Sequence, residues 1–184
     1  RAIICAALSD NSCRIDNIDY SDDIIASIDA MKSLGAIITK NEDYVEIVGA
    51  YKDIQSTENN RIIDCNESGS TLRFLVPISL LFKGSSKFVG KGNLGKRPLT
   101  TYYNIFDKQN IHYSYEKDNL NLEIRGELKG GTFEVEGNVS SQFISGLLFT
   151  LPLLKEDSKI IITTNFESKS YVDLTLKVMK DFGI

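Results

Sequence analysis

Residues 70–82 read Ser-Thr-Leu-Arg-Phe-Leu-Val-Pro-Ile-Ser-Leu-Leu-Phe, a stretch that is apolar on nearly every side of a helix. A helix that is apolar all round has to be buried all round. Stretches of the same character begin about 70 residues before and after it, at residues 1–8 and 140–154. The sequence therefore predicts three buried helices from an internal repeat, with a period that suits a supersecondary unit.

A second, amphipathic helix follows each buried one. The apolar spacing predicts these helices at residues 21–34, 98–110 and 170–182. Ser21 is the expected N-cap of the first, and Gly35 its expected stop.

Short stretches of alternating apolar and polar residues fill the spaces between the helices. Alternation predicts strands with one buried and one solvated face. Together these elements predict an α/β fold with helices inside and sheets outside, related by a pseudo-threefold axis. The predicted strands are residues 36–39, 44–48, 61–64, 87–90, 111–115, 120–124, 132–136 and 159–164.

Both ends of the chain interrupt the repeat. The chain opens at Arg1 directly onto an apolar run, and the third repeat stops at Ile184 where its hairpin is due. We expect residues 1–184 to be a single domain cut from a longer protein. Its internal repeats are predicted at about residues 1–50, 61–126 and 131–184, the third incomplete.

The composition narrows the class of protein. With 42% hydrophobic residues and a net charge of -4, the chain is an ordinary globular protein, and its charge argues against a nucleic-acid partner. Cys5, Cys13 and Cys65 form no zinc-binding spacing, and we expect free thiols in a reducing, cytoplasmic compartment. We expect no membrane-spanning run, no signal peptide and no metal-binding cluster.

Hydroxyl-rich and glycine-rich segments stand at the predicted helix starts. Residues 66–73 contain Ser, Gly and Thr followed by Arg73, and residues 137–143 contain two serines and a glutamine. Free backbone N–H groups at helix starts bind anions, although each segment alone is also explained by ordinary capping. Arg97 lies in a loop where it could fork onto a carboxylate or phosphate.

Other polar residues give no catalytic pattern. His112 lies in a strand-like segment, Asp22 and Asp23 are helix-start charges, and Glu156 and Asp157 lie in a turn. No paired carboxylates have an acid/base setting.

Five segments resemble motifs of the 5-enolpyruvylshikimate-3-phosphate synthase family, in that family's order. Residues 67–75 resemble its Asn-Ser-Gly-Thr-Thr-Met-Arg segment, and residues 137–147 its Gly-x-x-Ser-Ser-Gln-Phe/Tyr segment. Residues 96–99 resemble its Lys/Ser-Arg-Pro-Met loop, and residues 168–175 its Ser-Lys-Pro-Tyr-Ile-Asp-Ile-Thr segment. Residues 1–4 are similar to the end of its Lys-Ser-x-x-x-Arg-Ala motif.

The resemblance implies a transferase that moves the enolpyruvyl group of phosphoenolpyruvate to the 5-hydroxyl of shikimate 3-phosphate, without a cofactor. It implies two similar domains of three βαβαββ units each (an inside-out α/β barrel), of which this chain is the N-terminal one. Arg73 would support the Gly69 loop. The implied ligands of shikimate 3-phosphate are Arg1, Ser140, Ser141, Ser168 and Tyr171, and those of phosphoenolpyruvate are Gly69, Arg97 and Gln142.

Departures from the family pattern limit what this chain can do. The family's acid/base residues and further arginines belong to the C-terminal half, so the resemblance implies no catalytic residue here and no turnover from this chain alone. Glu67 stands where the family commonly has Asn, which would change the charge beside phosphoenolpyruvate. Ser70 replaces a common Thr, and Ser170 a usual Pro.

Two alternatives stay open at this stage. The UDP-N-acetylglucosamine enolpyruvyl transferases resemble the chain in repeat pattern, but Gly92 stands where their loop has a catalytic cysteine. A phosphate-binding module without catalysis would explain why no acid/base pair is found.

Overall fold

The computed structural model describes residues 1–50, 58–116 and 118–184. Helices and strands follow one another along the described residues in a recurring order, as the repeat predicts. Short 3-10 turns at Leu94–Lys96 and Leu151–Leu153 add to them. In chain order the elements are α1 Ala2–Ala7, β1 Ser12–Asp16, α2 Asp22–Ser33, β2 Ile37–Lys40, β3 Tyr44–Val48, β4 Asn59–Asp64, α3 Gly69–Ser79, β5 Gly84–Val89, α4 Thr100–Gln109, β6 His112–Tyr115, β7 Asn121–Arg125, β8 Gly131–Val135, α5 Ser141–Thr150, β9 Ser158–Ile162 and α6 Lys169–Asp181.

Three sheets reproduce parts of one strand pattern. The middle sheet has the order β4-β5-β7-β6, in which β4 and β5 are parallel and the other pairs antiparallel. The first sheet, β1-β3-β2, repeats the last three strands of this order, and the parallel pair β8-β9 repeats the first two. The fold is α/β with recurring units, as the alternation and the helix spacing predict.

The helices α1, α3 and α5 form the interior. Nearly every residue of each is buried, and the strands contribute their alternate residues to the same core. This agrees with the prediction of helices inside and sheets outside. Their ends differ from the prediction, because α3 ends at Ser79 and α5 at Thr150, where the Leu151–Leu153 turn containing Pro152 follows.

The amphipathic helices α2, α4 and α6 occur where the spacing predicts them. Ser21 is the N-cap of α2, but its side chain makes no capping hydrogen bond. Gly35 has a φ of 108°, which a side chain would strain, so the helix stops there as expected. The strand β1 had not been located from the sequence, because its residues are mostly polar and exposed.

Tyr102 joins α3 to α5 through the one helical carbonyl that Pro77 leaves free. Proline has no N–H, so the carbonyl of Arg73, four residues earlier, lacks its helical donor. The fully buried Tyr102 hydroxyl donates to this carbonyl at 2.5 Å, and lies 3.2 Å from the Phe143 carbonyl of α5. Burial raises the pKa of Tyr102, so the phenol keeps its proton and acts as a donor.

We expect Tyr102→Phe to lower the free energy of unfolding by about 1.5 kcal/mol, because it leaves the buried Arg73 carbonyl without a donor. In a Pro77→Ala background the restored N–H can reach this carbonyl, so the same change should cost about half as much. Urea denaturation of the four proteins measures both values. Equal losses in the two backgrounds would show that Tyr102 does not compensate for Pro77.

Candidate functional site

The starts of five helices meet around one open cleft with a volume of about 480 Å3. Residues at or near the starts of α1, α2, α3, α5 and α6 line it. Because helix N-termini carry free N–H groups and partial positive charge, their convergence favours anions. The lining residues are Arg1, Ile4, Asp23, Ile24, Ser27, Ser70, Phe74, Val139, Ser140, Ser141, Gln142, Ser168 and Tyr171.

Six of the nine site residues predicted from the sequence line this cleft: Arg1, Ser140, Ser141, Gln142, Ser168 and Tyr171. The remaining three, Gly69, Arg73 and Arg97, lie next to it and are connected to it through Gln142 and the start of α3. The structure thus brings together residues that are up to 170 positions apart in the chain.

Arg1 is held in place before any ligand arrives. Its Nε donates to the Thr175 hydroxyl at 2.8 Å, and its guanidinium lies 5.5 Å from the centre of the Phe74 ring. Thr175 is itself buried and bonded to the Ser145 hydroxyl at 2.8 Å. Burial lowers the pKa of Arg1, although a guanidinium keeps its charge at any physiological pH. A fixed cation of this kind needs little reordering to bind an anion.

The hydroxyl groups around Arg1 differ in whether they already make a hydrogen bond within the protein. Ser140 is the N-cap of α5 and accepts from the Gln142 backbone N–H at 3.3 Å. Ser168 is the N-cap of α6 with a φ of 55°, and its side chain makes no capping hydrogen bond. A residue other than glycine in this conformation is strained, and such strain is common at binding sites. The Tyr171 side chain is 57% exposed, which leaves its hydroxyl available.

Gly69 and Arg97 are in direct contact. A methyl group added at Gly69 would overlap the Arg97 guanidinium, so only glycine allows the arginine to lie against the start of α3. The free N–H groups of that helix start and the guanidinium therefore act on the same space. This supports the prediction that the two residues share one anion.

Arg73 lies close to both Gln142 and Arg97. Its Nη1 donates to Gln142 Oε1 at 2.8 Å, and its guanidinium lies 5.1 Å from the Phe143 ring centre. Burial, and then the nearby Arg97 charge, lower the pKa of Arg73. Its bond to α5 was not predicted, because spacing in a sequence does not tell which neighbour a long side chain reaches.

Asp23 and Ser27 also line the cleft, although their sequence context indicates no role there. Asp23 does stand in the first turn of α2 as expected, but it also faces the site. Ser27 contacts Thr71 of α3 through their hydroxyls at 2.8 Å, and the Asp23 carbonyl accepts from Ser27 at 2.9 Å. Asp23 is thus a helix-start charge, as predicted, and it also lines the cleft.

Glu67 is exposed beside this region. Its carboxylate lies against Gly92, where an added methyl group would be 2.9 Å from the carboxylate carbon. Gly92 also has a φ of 60°, a conformation that favours glycine. Both the backbone conformation and the nearby Glu67 carboxylate therefore disfavour a side chain at this position.

The described residues give no sign of a metal or membrane site. Nowhere in residues 1–50, 58–116 and 118–184 do three His, Cys, Asp or Glu side chains cluster as metal ligands. In the same residues no helix combines the length and the apolar character needed to cross a bilayer. All three cysteines are free thiols, as expected from their spacing.

Solved structures with a similar fold include enolpyruvyl transferases. EPSP synthase from Acinetobacter baumannii matches with a TM-score of 0.73 at 19% identity, over 88% of this chain and 37% of that one. The enolpyruvyl transferase NikO from Streptomyces tendae matches with a TM-score of 0.60 at 12% identity, over 99% of this chain and 41% of that one. At these identities the likeness shows the fold, which is that of the enolpyruvyl transferases.

Sequence similarity shows the family to which this chain belongs. The family model of EPSP synthase (3-phosphoshikimate 1-carboxyvinyltransferase) matches residues 1–184, and the chain belongs to this family. Curated relatives named 3-phosphoshikimate 1-carboxyvinyltransferase are 66% identical in Clostridium botulinum strain Alaska E43 and 61% identical in Clostridioides difficile strain 630. Both matches cover all of this chain, which spans 43% and 44% of the lengths of those relatives.

Proposed function

We propose that this chain forms the shikimate 3-phosphate half of an active site that transfers the enolpyruvyl group of phosphoenolpyruvate to the 5-hydroxyl of that substrate. The observation that carries the proposal is the cleft at the meeting point of the helix starts, with Arg1 fixed between hydroxyl groups. Family membership and the relatives' names support the choice of substrates.

The cleft suits a phosphorylated polyol better than a simple anion. Arg1 is the one cation among the residues described as lining it, and the start of α5 supplies Ser140 and Ser141 beside it. A phosphate would be bound by these groups and the free N–H donors. Asp23, the one acid in that lining, would repel phosphate and accept from ring hydroxyls, which favours one orientation of the ligand.

Phosphoenolpyruvate would lie towards Gly69, Arg97 and Gln142. Arg97 and the α3 start offer donors to its phosphate, and Gln142, which is bonded to Arg73, lines the cleft together with Arg1. Two anions can then be held side by side by fixed donors, which lowers the entropic part of the barrier to reaction.

We further propose that residues 1–184 are one domain of a two-domain enzyme, with repeats at about residues 1–50, 61–126 and 131–184. The partial strand patterns of the first and third sheets support these limits. In the described residues lining the cleft no carboxylate pair is set for proton transfer. We therefore expect the acid and base from the second domain, no turnover from this chain alone, and a cytoplasmic location.

Titration of the chain with shikimate 3-phosphate tests the proposal. We expect weak, saturable binding at low ionic strength that weakens as salt is added. Ser141→Ala should weaken it about tenfold, because a donor to a charged group is lost. Calorimetry or NMR measures the affinity.

Two controls accompany this titration. Ser114→Ala changes an exposed serine of β6, outside the residues that line the cleft, and should leave the affinity unchanged. UDP-N-acetylglucosamine should not bind. Binding of that compound in place of shikimate 3-phosphate would contradict the proposal.

A further inference from the structure

The Arg73 side chain is connected to the cleft by a single hydrogen bond. Nη1 of Arg73, on α3, donates to Oε1 of Gln142, at the start of α5, and the two atoms are 2.8 Å apart. Of these two residues, only Gln142 lines the cleft. Any effect of Arg73 on a bound molecule through this contact must therefore pass through the Gln142 amide.

This contact decides which end of the Gln142 amide is free. A guanidinium has donors only, so it can bond the amide oxygen and never the amide nitrogen. The oxygen and nitrogen of an amide point in opposite directions from the same carbon. With Oε1 held by Arg73, the NH2 group is left to donate, and among the described residues it has no hydrogen-bond partner.

Arg73 is held firmly enough to impose this orientation. Its guanidinium lies over the Phe143 ring, its backbone carbonyl accepts from Tyr102, and much of its side chain is buried. Its Nε–H is buried without a partner in the part of the chain that the structure describes. An unpaired buried donor costs free energy, so stability alone does not account for an arginine at this position.

We infer that Arg73 is a positioning residue, which turns the side-chain amide of Gln142 so that its NH2 group, and not its carbonyl oxygen, faces an anion in the cleft. Without the Arg73 donor the amide is free to rotate, and a carbonyl oxygen facing the anion would repel it. The identity of the anion rests on the proposed function, whereas the orientation of the amide does not.

The first test needs no ligand. The 15N and 1H signals of the Gln142 NH2 group are assigned by their loss in Gln142→Ala. We expect Arg73→Met, which keeps the contact with the Phe143 ring but removes the donor, to shift them. Arg73→Lys, which retains one donor, should restore part of the wild-type position. Signals that stay unchanged in Arg73→Met would overturn the inference.

The second test is a double-mutant cycle with shikimate 3-phosphate as the probe. We expect Arg73→Met to weaken binding about tenfold in the wild-type background, and only about twofold when Gln142 is already alanine. The remaining twofold reflects the lost positive charge. Equal losses in both backgrounds would mean that Arg73 acts by charge alone, and would overturn the inference.

Arg61→Met is the matched control. Its guanidinium lies 5.0 Å from the Phe82 ring centre and bonds the Lys83 carbonyl, so it resembles Arg73 but contacts residues beyond the far end of α3. It should change neither the NH2 signals nor the affinity. A wild-type chain that fails to bind the probe, with NH2 signals that do respond to Arg73→Met, would contradict the proposed function and support the inference. Thermal unfolding of each variant identifies loss of folding.

Discussion

Gly146→Ala should lower the free energy of unfolding by about 3 kcal/mol, because α3 and α5 leave no room for a methyl group between them. An added Cβ would lie 2.5 Å from the Arg73 carbonyl oxygen and closer still to the Tyr102 hydroxyl. Both atoms belong to the hydrogen bond between Tyr102 of α4 and Arg73 of α3, so neither can move without breaking it. Urea denaturation measures the loss as a lower midpoint with an unchanged slope.

The direction in which Gly146→Ala changes the free energy of unfolding distinguishes the effect of packing from that of helix propensity. At a solvent-exposed position inside a helix, replacing glycine with alanine stabilises the protein by about 1 kcal/mol. Asn104→Ala, at an exposed position of α4, is the control and should leave stability unchanged or raise it slightly. A Gly146→Ala chain as stable as wild type would show that the helices can separate at no cost, and that the contact at Gly146 does not fix their spacing.

The buried helices were predictable because their signal is long and uniform. A run such as residues 70–82 leaves no polar face for solvent, so its burial follows from composition alone. The strand β1 gives no such signal, because Ser12, Arg14 and Asp16 all face solvent. Its place comes from pairing with β3, a contact that alternation within a five-residue stretch cannot reveal.

The sequence indicated residues that the structure brings close together, but it did not indicate their contacts. Motifs indicated Arg1, Ser140 and Tyr171, and the structure places them around one cleft. Thr175, which orients Arg1, is buried. It is the last residue of the motif at residues 168–175, but the motif does not tell that its hydroxyl contacts Arg1. Such supporting residues are set by packing between helices that are far apart in the chain, which a single sequence does not specify.

The charges around the cleft determine how strongly each arginine should contribute to binding an anion. The chain as a whole carries a net charge of -4, so long-range attraction does not draw an anion in. Arg73 and Arg97, which contact Gln142 and Gly69 respectively, are not among the residues that line the cleft. Among the described residues that line the cleft, this leaves Arg1 as the one cation in position to bond a phosphate directly.

Arg1→Ala should therefore weaken the binding of shikimate 3-phosphate about 100-fold, because it removes a charge-assisted donor and the residual field favours cations. Arg1→Lys should recover part of the loss, since a lysine keeps the charge but not the forked donors. Calorimetry at low ionic strength measures both.

The control is Arg14→Ala, which removes an exposed arginine of β1 that is paired with Asp16 and is not among the residues that line the cleft. If both alanine variants weakened binding to the same small degree, net charge and not the position of Arg1 would govern the affinity. A large loss confined to Arg1 would instead show that a single arginine, held in advance by Thr175, provides most of the phosphate affinity of this half of the site.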